Sequence, residues 1–166
     1  MATDPPPDLM LSPIEGQART VREWLTTFHL LLVAMDASGG PSGRPSRWIL
    51  PTATRVLTDY EQADCRVAWL VAGDADDARR LLGRRATDIL TFTDPDRAAA
   101  KAFGLASLPA IVHLGMDGHV VNAVEGWDAM AWRALTIDLS RIVDWTRPVL
   151  PAPRDPGPFP GTPLRA

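Results

Sequence analysis

Serine, cysteine and histidine are the side chains in this 166-residue chain best suited to chemistry, and their spacing limits what they can do. Three serines fall in one loop, Met35-Asp36-Ala37-Ser38-Gly39-Gly40-Pro41-Ser42-Gly43-Arg44-Pro45-Ser46. A serine nucleophile needs an adjacent base and an oxyanion hole. The chain has no Gly-x-Ser-x-Gly elbow, and the pattern places no histidine near the loop. Turn and capping roles are expected instead, with Ser46 as the N-cap of the next helix. Gly39, Gly40 and Gly43 are too few and too irregular for a phosphate loop, which also needs a Lys-Ser or Lys-Thr pair. Cys65 is the single cysteine, which excludes an intramolecular disulfide. Beside Asp64 it reads as a partly buried structural thiol. The competing reading, a one-cysteine redox site helped by Arg66, requires an exposed electropositive setting. His29, His113 and His119 are the only histidines. A two-residue Asp117-Gly118 turn pairs His113 with Asn122 and His119 with Met116, so the two rings point to opposite faces. A three-residue turn would change that parity. No cysteine or close carboxylate completes a ligand set, so neither a metal nor another cofactor is expected.

The elements that must position these residues follow from apolar patterning. Residues 20–26 suit a short helix, and Phe28 to Met35 is a continuous apolar run, as in a strand covered on both faces. Ser46 to Glu61 repeats Ile49, Leu50, Ala53, Val56 and Leu57 at helical spacing. Arg66 to Ala72 is a second buried strand. Asp74 to Leu82 is a helix capped by Asp74 and stopped by Gly83. Ile89 to Phe92 is a third strand, and Asp94-Pro95 opens a helix that ends at Gly104. Ala110 to Leu114 and His119 to Val124 form a hairpin around Met116-Asp117-Gly118. Asp128 caps a last helix with Trp132, Leu135, Leu139, Ile142 and Val143 on one face, ending before Pro148. The order β-α-β-α-β-α-β-β-α predicts a mixed sheet with helices on both faces. Residues 1–16 and the seven-proline stretch 147–166 flank a domain at 17–146. Both ends are expected to be flexible, or to lie extended along the domain or against a partner.

This order, with a proline before the hairpin, resembles the thioredoxin-like fold, a three-layer α/β/α arrangement. The resemblance rests on Gly104-Leu105-Ala106-Ser107-Leu108-Pro109-Ala110-Ile111-Val112-His113-Leu114, on Met116-Asp117-Gly118-His119-Val120-Val121 and on Glu125-Gly126-Trp127. In TlpA-like and peroxiredoxin-like members such a segment enters the hairpin through a cis-proline, which by resemblance would be Pro109. The family carries its Cys-x-x-Cys pair, or its peroxidatic cysteine, at the helix start after the first core strand. Two registers of that motif fit here, Gly39-Gly40-Pro41-Ser42 and Gly43-Arg44-Pro45-Ser46. The second also sets Pro51 at the family's proline position, five residues beyond the second cysteine. Both replace the first cysteine by glycine and the second by serine. A hydroxyl neither ionises near neutral pH nor forms a disulfide, so the family's catalytic residues do not carry over.

The expectation is therefore a domain without redox activity that binds protein or serves structure. Its contact surface would be Ser38, Gly39, Gly40, Pro41, Ser42, Arg44, Ser46, Trp48, Leu108, Pro109 and Trp127. Exposed Trp48 and Trp127 beside a cis-proline would receive an extended peptide by strand addition. The alternative is a thiol-dependent antioxidant or oxidoreductase working through Cys65; a third reading is a subunit clipped into a larger complex by its tail. The net charge of −3 and the scattered Arg79-Arg80 and Arg84-Arg85 pairs argue against a nucleic-acid partner. The apolar run Leu30–Met35 is too short to cross a bilayer. Residues 1–8 are proline-rich and acidic, without the features of a secretory signal, so a cytoplasmic, membrane-free protein is expected.

Overall fold

A computed structural model describes residues 1–164. In chain order the elements are β1 (Met10–Pro13), β2 (Arg19–Thr20), α1 (Val21–Leu25), β3 (His29–Asp36), α2 (Arg44–Asp59), β4 (Cys65–Ala72), α3 (Ala75–Leu82), α4 (Arg85–Asp88), β5 (Leu90–Thr93), α5 (Ala98–Ala102), β6 (Ser107–Leu108), β7 (Ala110–Leu114), β8 (Val120–Glu125), α6 (Ala129–Ile142) and β9 (Thr162–Pro163). Seven strands form one sheet in the order β2-β1-β5-β4-β3-β7-β8, and β6 pairs separately with β9. The β3-β4 and β4-β5 pairs are parallel, as helical crossovers require, and the pairs outside them are antiparallel. The apolar runs of β3 and β4 are covered on both faces. Leu31, Val33, Met35 and Trp69 pack with residues of α2 and α6; Leu30, Leu32, Ala34 and Leu70 pack with Phe92, Phe103 and α1.

Several local expectations need correction. Ser46 does not cap α2. Residues Pro41–Gly43 form a 3-10 turn that runs straight into the helix, so Gly43 is the N-cap and Ser46 turns inward, fully buried. The helix after Asp94-Pro95 starts late, at Ala98. The buried Asp94 carboxylate reaches forward to accept from Ala99 N at 2.9 Å and Ala100 N at 2.8 Å, leaving Pro95 and Asp96 in a turn. In the hairpin, His113 does face Asn122, but a bulge after it sets Leu114 opposite Val120, and Gly115 N donates to His119 O. The expected His119–Met116 pair is therefore absent.

Residues 1–16 and 147–164 lie on the domain rather than apart from it. Alternation in β1 buries Leu11 and leaves its neighbours outward, and β1 bonds to β2 and β5. Thr3 N donates to Phe103 O at 3.0 Å. The proline-rich C-terminal stretch buries little beyond Pro148 and Leu150. Polar and backbone bonds to the domain hold it in place of an apolar core.

Candidate functional site

Ala34 pairs with Ala110, so the loop after β3 and the residue before β7 lie at the same end of the sheet. In that loop Asp36 N donates to Ser46 Oγ at 2.8 Å, and Ser38 N donates to Asp36 Oδ1 at 2.8 Å. Arg47 Nη2 holds the Ser38 carbonyl at 3.0 Å. These bonds fold the loop back over the helix start. A Cβ built on Gly43 would land on the Ser38 carbonyl oxygen, so position 43 has no room for any side chain. Ser46 is committed to the backbone, and neither it nor Ser38 or Ser42 has a histidine partner among the described residues. Gly39, Gly40, Pro41 and Arg44 are exposed, and Ser38 and Ser42 half-buried. A Gly43→Ala variant is expected to lose about 1–3 kcal/mol of stability, as overpacked sites do, in urea titrations.

Across from the loop, the Leu108–Pro109 peptide bond is cis and both residues are buried. Glu125 Oε2 fixes the approach to it, accepting from Ala106 N, Ser107 N and Ser107 Oγ at 3.1, 2.7 and 2.9 Å. The edge this creates is occupied by the chain's own C-terminal stretch. Ser107 faces Pro163 and Leu108 faces Thr162 in the β6-β9 pair, and Leu164 N donates to Ala106 O at 2.8 Å. Trp127 and Phe159 exchange two backbone bonds of 2.9 Å each. The Phe159 ring packs edge-on to Trp48 with centroids 5.5 Å apart. Of the two tryptophans expected to be exposed here, Trp48 is, at 51%, but Trp127 is covered, at 1%. The Trp127 indole donates to Pro156 O at 2.8 Å and its ring packs edge-on to Trp132.

Upstream of this plug the stretch is clamped to α2. Arg55 grips Asp155 through two bonds of 2.9 Å, Thr52 Oγ1 donates to the same carboxylate at 2.7 Å, and Ala152 N donates at 2.6 Å. Burial pushes the Asp155 carboxyl up, but these bonds and the Arg55 charge outweigh it and hold it below the ordinary carboxylate value. Sequence patterning does not reveal this clamp. The available signal is modest: Asp155 is the one acidic residue, and Phe159 the one aromatic, in residues 147–166.

No family model and no curated protein sequence matches the chain. Solved structures do. A putative thiol:disulfide interchange protein DsbE from Chlorobium tepidum superposes with a TM-score of 0.67 at 16% identity, over 86% of this chain and 98% of that one. Peroxiredoxin Q of Xanthomonas campestris, in a form with one cysteine changed to serine, gives 0.65 at 16% identity, over 82% and 92%. A hypothetical protein of Sinorhizobium meliloti gives 0.67 at 13% identity, over 98% and 93%. The chain has a thioredoxin-like fold. Helix α2 starts at Arg44, with Gly43 at its N-cap, Ser46 in the first turn and Pro51 inside the helix, while Ser42 lies in the 3-10 turn before it.

Cys65 lies elsewhere. It pairs with His29 at the start of β3, whereas the loop leaves at Asp36, roughly 23 Å away along the strand. The residue is 5% exposed, and burial pushes the thiol pKa up to about 12. His29 and His113 meet at the same end, His29 Nδ1 to His113 Nε2 at 2.9 Å. His119 instead pairs with Asp4 at 2.8 Å on the surface. Among the described residues no three His, Cys, Asp or Glu side chains gather to hold a metal. No helix there is long and apolar enough to cross a membrane.

Proposed function

We propose that this protein is a redox-inactive thioredoxin-like module that binds protein or serves structure. The observation that carries the proposal is the closed helix start. Position 43 has no space for a side chain, and Ser46 is buried with its hydroxyl spent on Asp36 N. Dithiol exchange needs an accessible thiolate at a helix N-terminus, and this end of the sheet offers none. A cytoplasmic setting belongs to the same proposal, since a chain with one cysteine has little use for an oxidising compartment. In an insulin-reduction assay with dithiothreitol, the expected rate is that of the reductant alone. Added turnover that disappears in a Cys65→Ser variant would falsify the proposal.

A second reading draws on the structural neighbours, several of which are described as peroxiredoxins or thiol:disulfide proteins. By that likeness the chain is a thiol-dependent antioxidant or oxidoreductase acting through Cys65. Against it stand the burial of that thiol and its distance from the loop. Mild peroxide decides between the two. Sulfenic acid at Cys65 in the folded protein favours the second reading, and a thiol that reacts only after unfolding favours the first.

A further inference from the structure

The C-terminal stretch divides into two parts of different physical character. Residues 149–156 form the clamp, built on the buried Asp155 carboxylate and the Trp127 indole bond to Pro156 O. Residues 159–164 form the plug, which bears no charged side chain and is held by backbone bonds, the Phe159–Trp48 ring contact and the packing of Phe159 and Leu164 against the edges of the core. Gly157 and Pro158 between them are exposed, and a Cβ on Gly157 would meet nothing within 4 Å. Phe159 and Leu164 are only half-buried and Pro160 and Pro163 are exposed, so the plug buries less than the clamp and belongs to the lower end of local stability.

Plug and groove are nonetheless matched in shape. A Cβ on Gly161 would lie 2.8 Å from Ser107 Oγ and 3.0 Å from Leu108 O. On the groove side, a Cβ on Gly126 would lie 2.8 Å from both Gly161 N and Phe159 O. The plug backbone therefore lies directly on Gly126, and Gly161 lies directly on the Ser107 side chain and the Leu108 carbonyl. An occupant of this groove needs an aromatic ring for Trp48, backbone groups that pair with Trp127 and β6, and glycine two residues after the ring. Pro160, between ring and glycine, fixes its backbone φ in advance and lowers the ordering cost of docking.

We infer that residues 159–164 are an intramolecular ligand that keeps a strand-accepting groove closed, and that the external partner is an extended segment of another protein with the pattern aromatic-Pro-Gly. This rests on the binding reading proposed above and names its partner chemistry and its regulation. The clamp tethers the plug next to the groove, so its effective concentration is high and a competing segment binds weakly until the plug is lifted.

The test uses the full chain with Gly161→Val, whose side chain would collide with Ser107 and Leu108, and a fluorescent peptide Phe-Pro-Gly-Thr-Pro-Leu. The variant is expected to bind the peptide at least tenfold more tightly than the unaltered chain, and a peptide with valine for glycine at least tenfold more weakly. A chain ending at Pro158 is expected to behave like the variant. Equal affinity of the unaltered and variant chains for the peptide, or no binding by either opened form while its cooperative unfolding is retained, overturns the inference. A concentration-dependent dimer of the unaltered chain that Gly161→Val abolishes also overturns it, since the plug would then be exchanged between copies. Failure here without added insulin turnover leaves the redox-inactive reading standing; turnover lost with Cys65→Ser removes that reading itself.

Discussion

An Asp155→Ala variant is expected to unfold about 3 kcal/mol more easily than the unaltered chain. The carboxylate is 2% exposed and accepts four hydrogen bonds, two of them from the Arg55 guanidinium. Breaking a buried ion pair by removing one partner costs about 3–5 kcal/mol when the survivor stays buried. Arg55 is 34% exposed, so it regains water and the loss falls at the lower end of that range. Thr52, itself buried, loses its acceptor and adds to the cost. At this chain length the change corresponds to a drop in Tm of roughly 6–12 °C. Asp155→Asn, which keeps an acceptor for Thr52 but not the charge, should fall between the two. Because the Asp155 carboxyl sits below its ordinary value, its contribution is complete at neutral pH and fades as pH drops through the folded-state value. Equal urea midpoints for Asp155→Ala and the unaltered chain would remove the clamp as a stabilising feature.

The second large effect lies at the other end of the sheet. His113 is wholly buried, its Nδ1 has no partner, and its Nε2 meets His29 at 2.9 Å. Burial first, then the neighbouring His29, pushes its pKa down to about 4, and the Asp138 charge opposes this only in part. Burial lowers His29 as well, against the Asp117 charge. Above pH 6.5 both folded and unfolded chains carry a neutral His113. Below it the unfolded chain takes up a proton that the folded chain refuses until about pH 4. Stability is therefore present above the unfolded value and lost as pH falls through this window, by about 3 kcal/mol for His113 alone. Urea titrations at pH 7 and pH 4.5 should show the loss in the unaltered chain and a smaller one in His113→Phe. The same loss in both chains would locate the acid sensitivity elsewhere.

The fold is legible because its central strands are written in continuous apolar runs. Phe28 to Met35 and Val67 to Val71 admit few other readings, and the Pro109 segment and the Asp117-Gly118 turn locate the hairpin. The short flanking strands β1, β2, β6 and β9 are not legible. They form by backbone pairing, which leaves no periodic trace in two to four residues. The missing thiols can be read directly, but the closure of position 43 cannot, because it depends on where the Ser38 carbonyl falls. Ser46 suits a cap by residue type, yet the 3-10 turn before it has already started the helix. The prolines of the C-terminal stretch do rule out a core there. What its composition conceals is that one carboxylate, one phenyl ring, the Trp127 indole and a few backbone pairs fasten it.

The Ser38 carbonyl over Gly43 also bears on what this chain can become. A change at position 46 would introduce a thiol at the expense of the bond from Asp36 N to the Ser46 hydroxyl, and a thiol there would be enclosed and alone. A second at position 43 would first require the whole turn from Asp36 to Pro41 to be rebuilt. The path to a dithiol at positions 43 and 46 is thus a rearrangement of backbone rather than a pair of codon changes. Mutations that leave the loop in place can tune what the groove holds, but they cannot seat a thiol pair at positions 43 and 46.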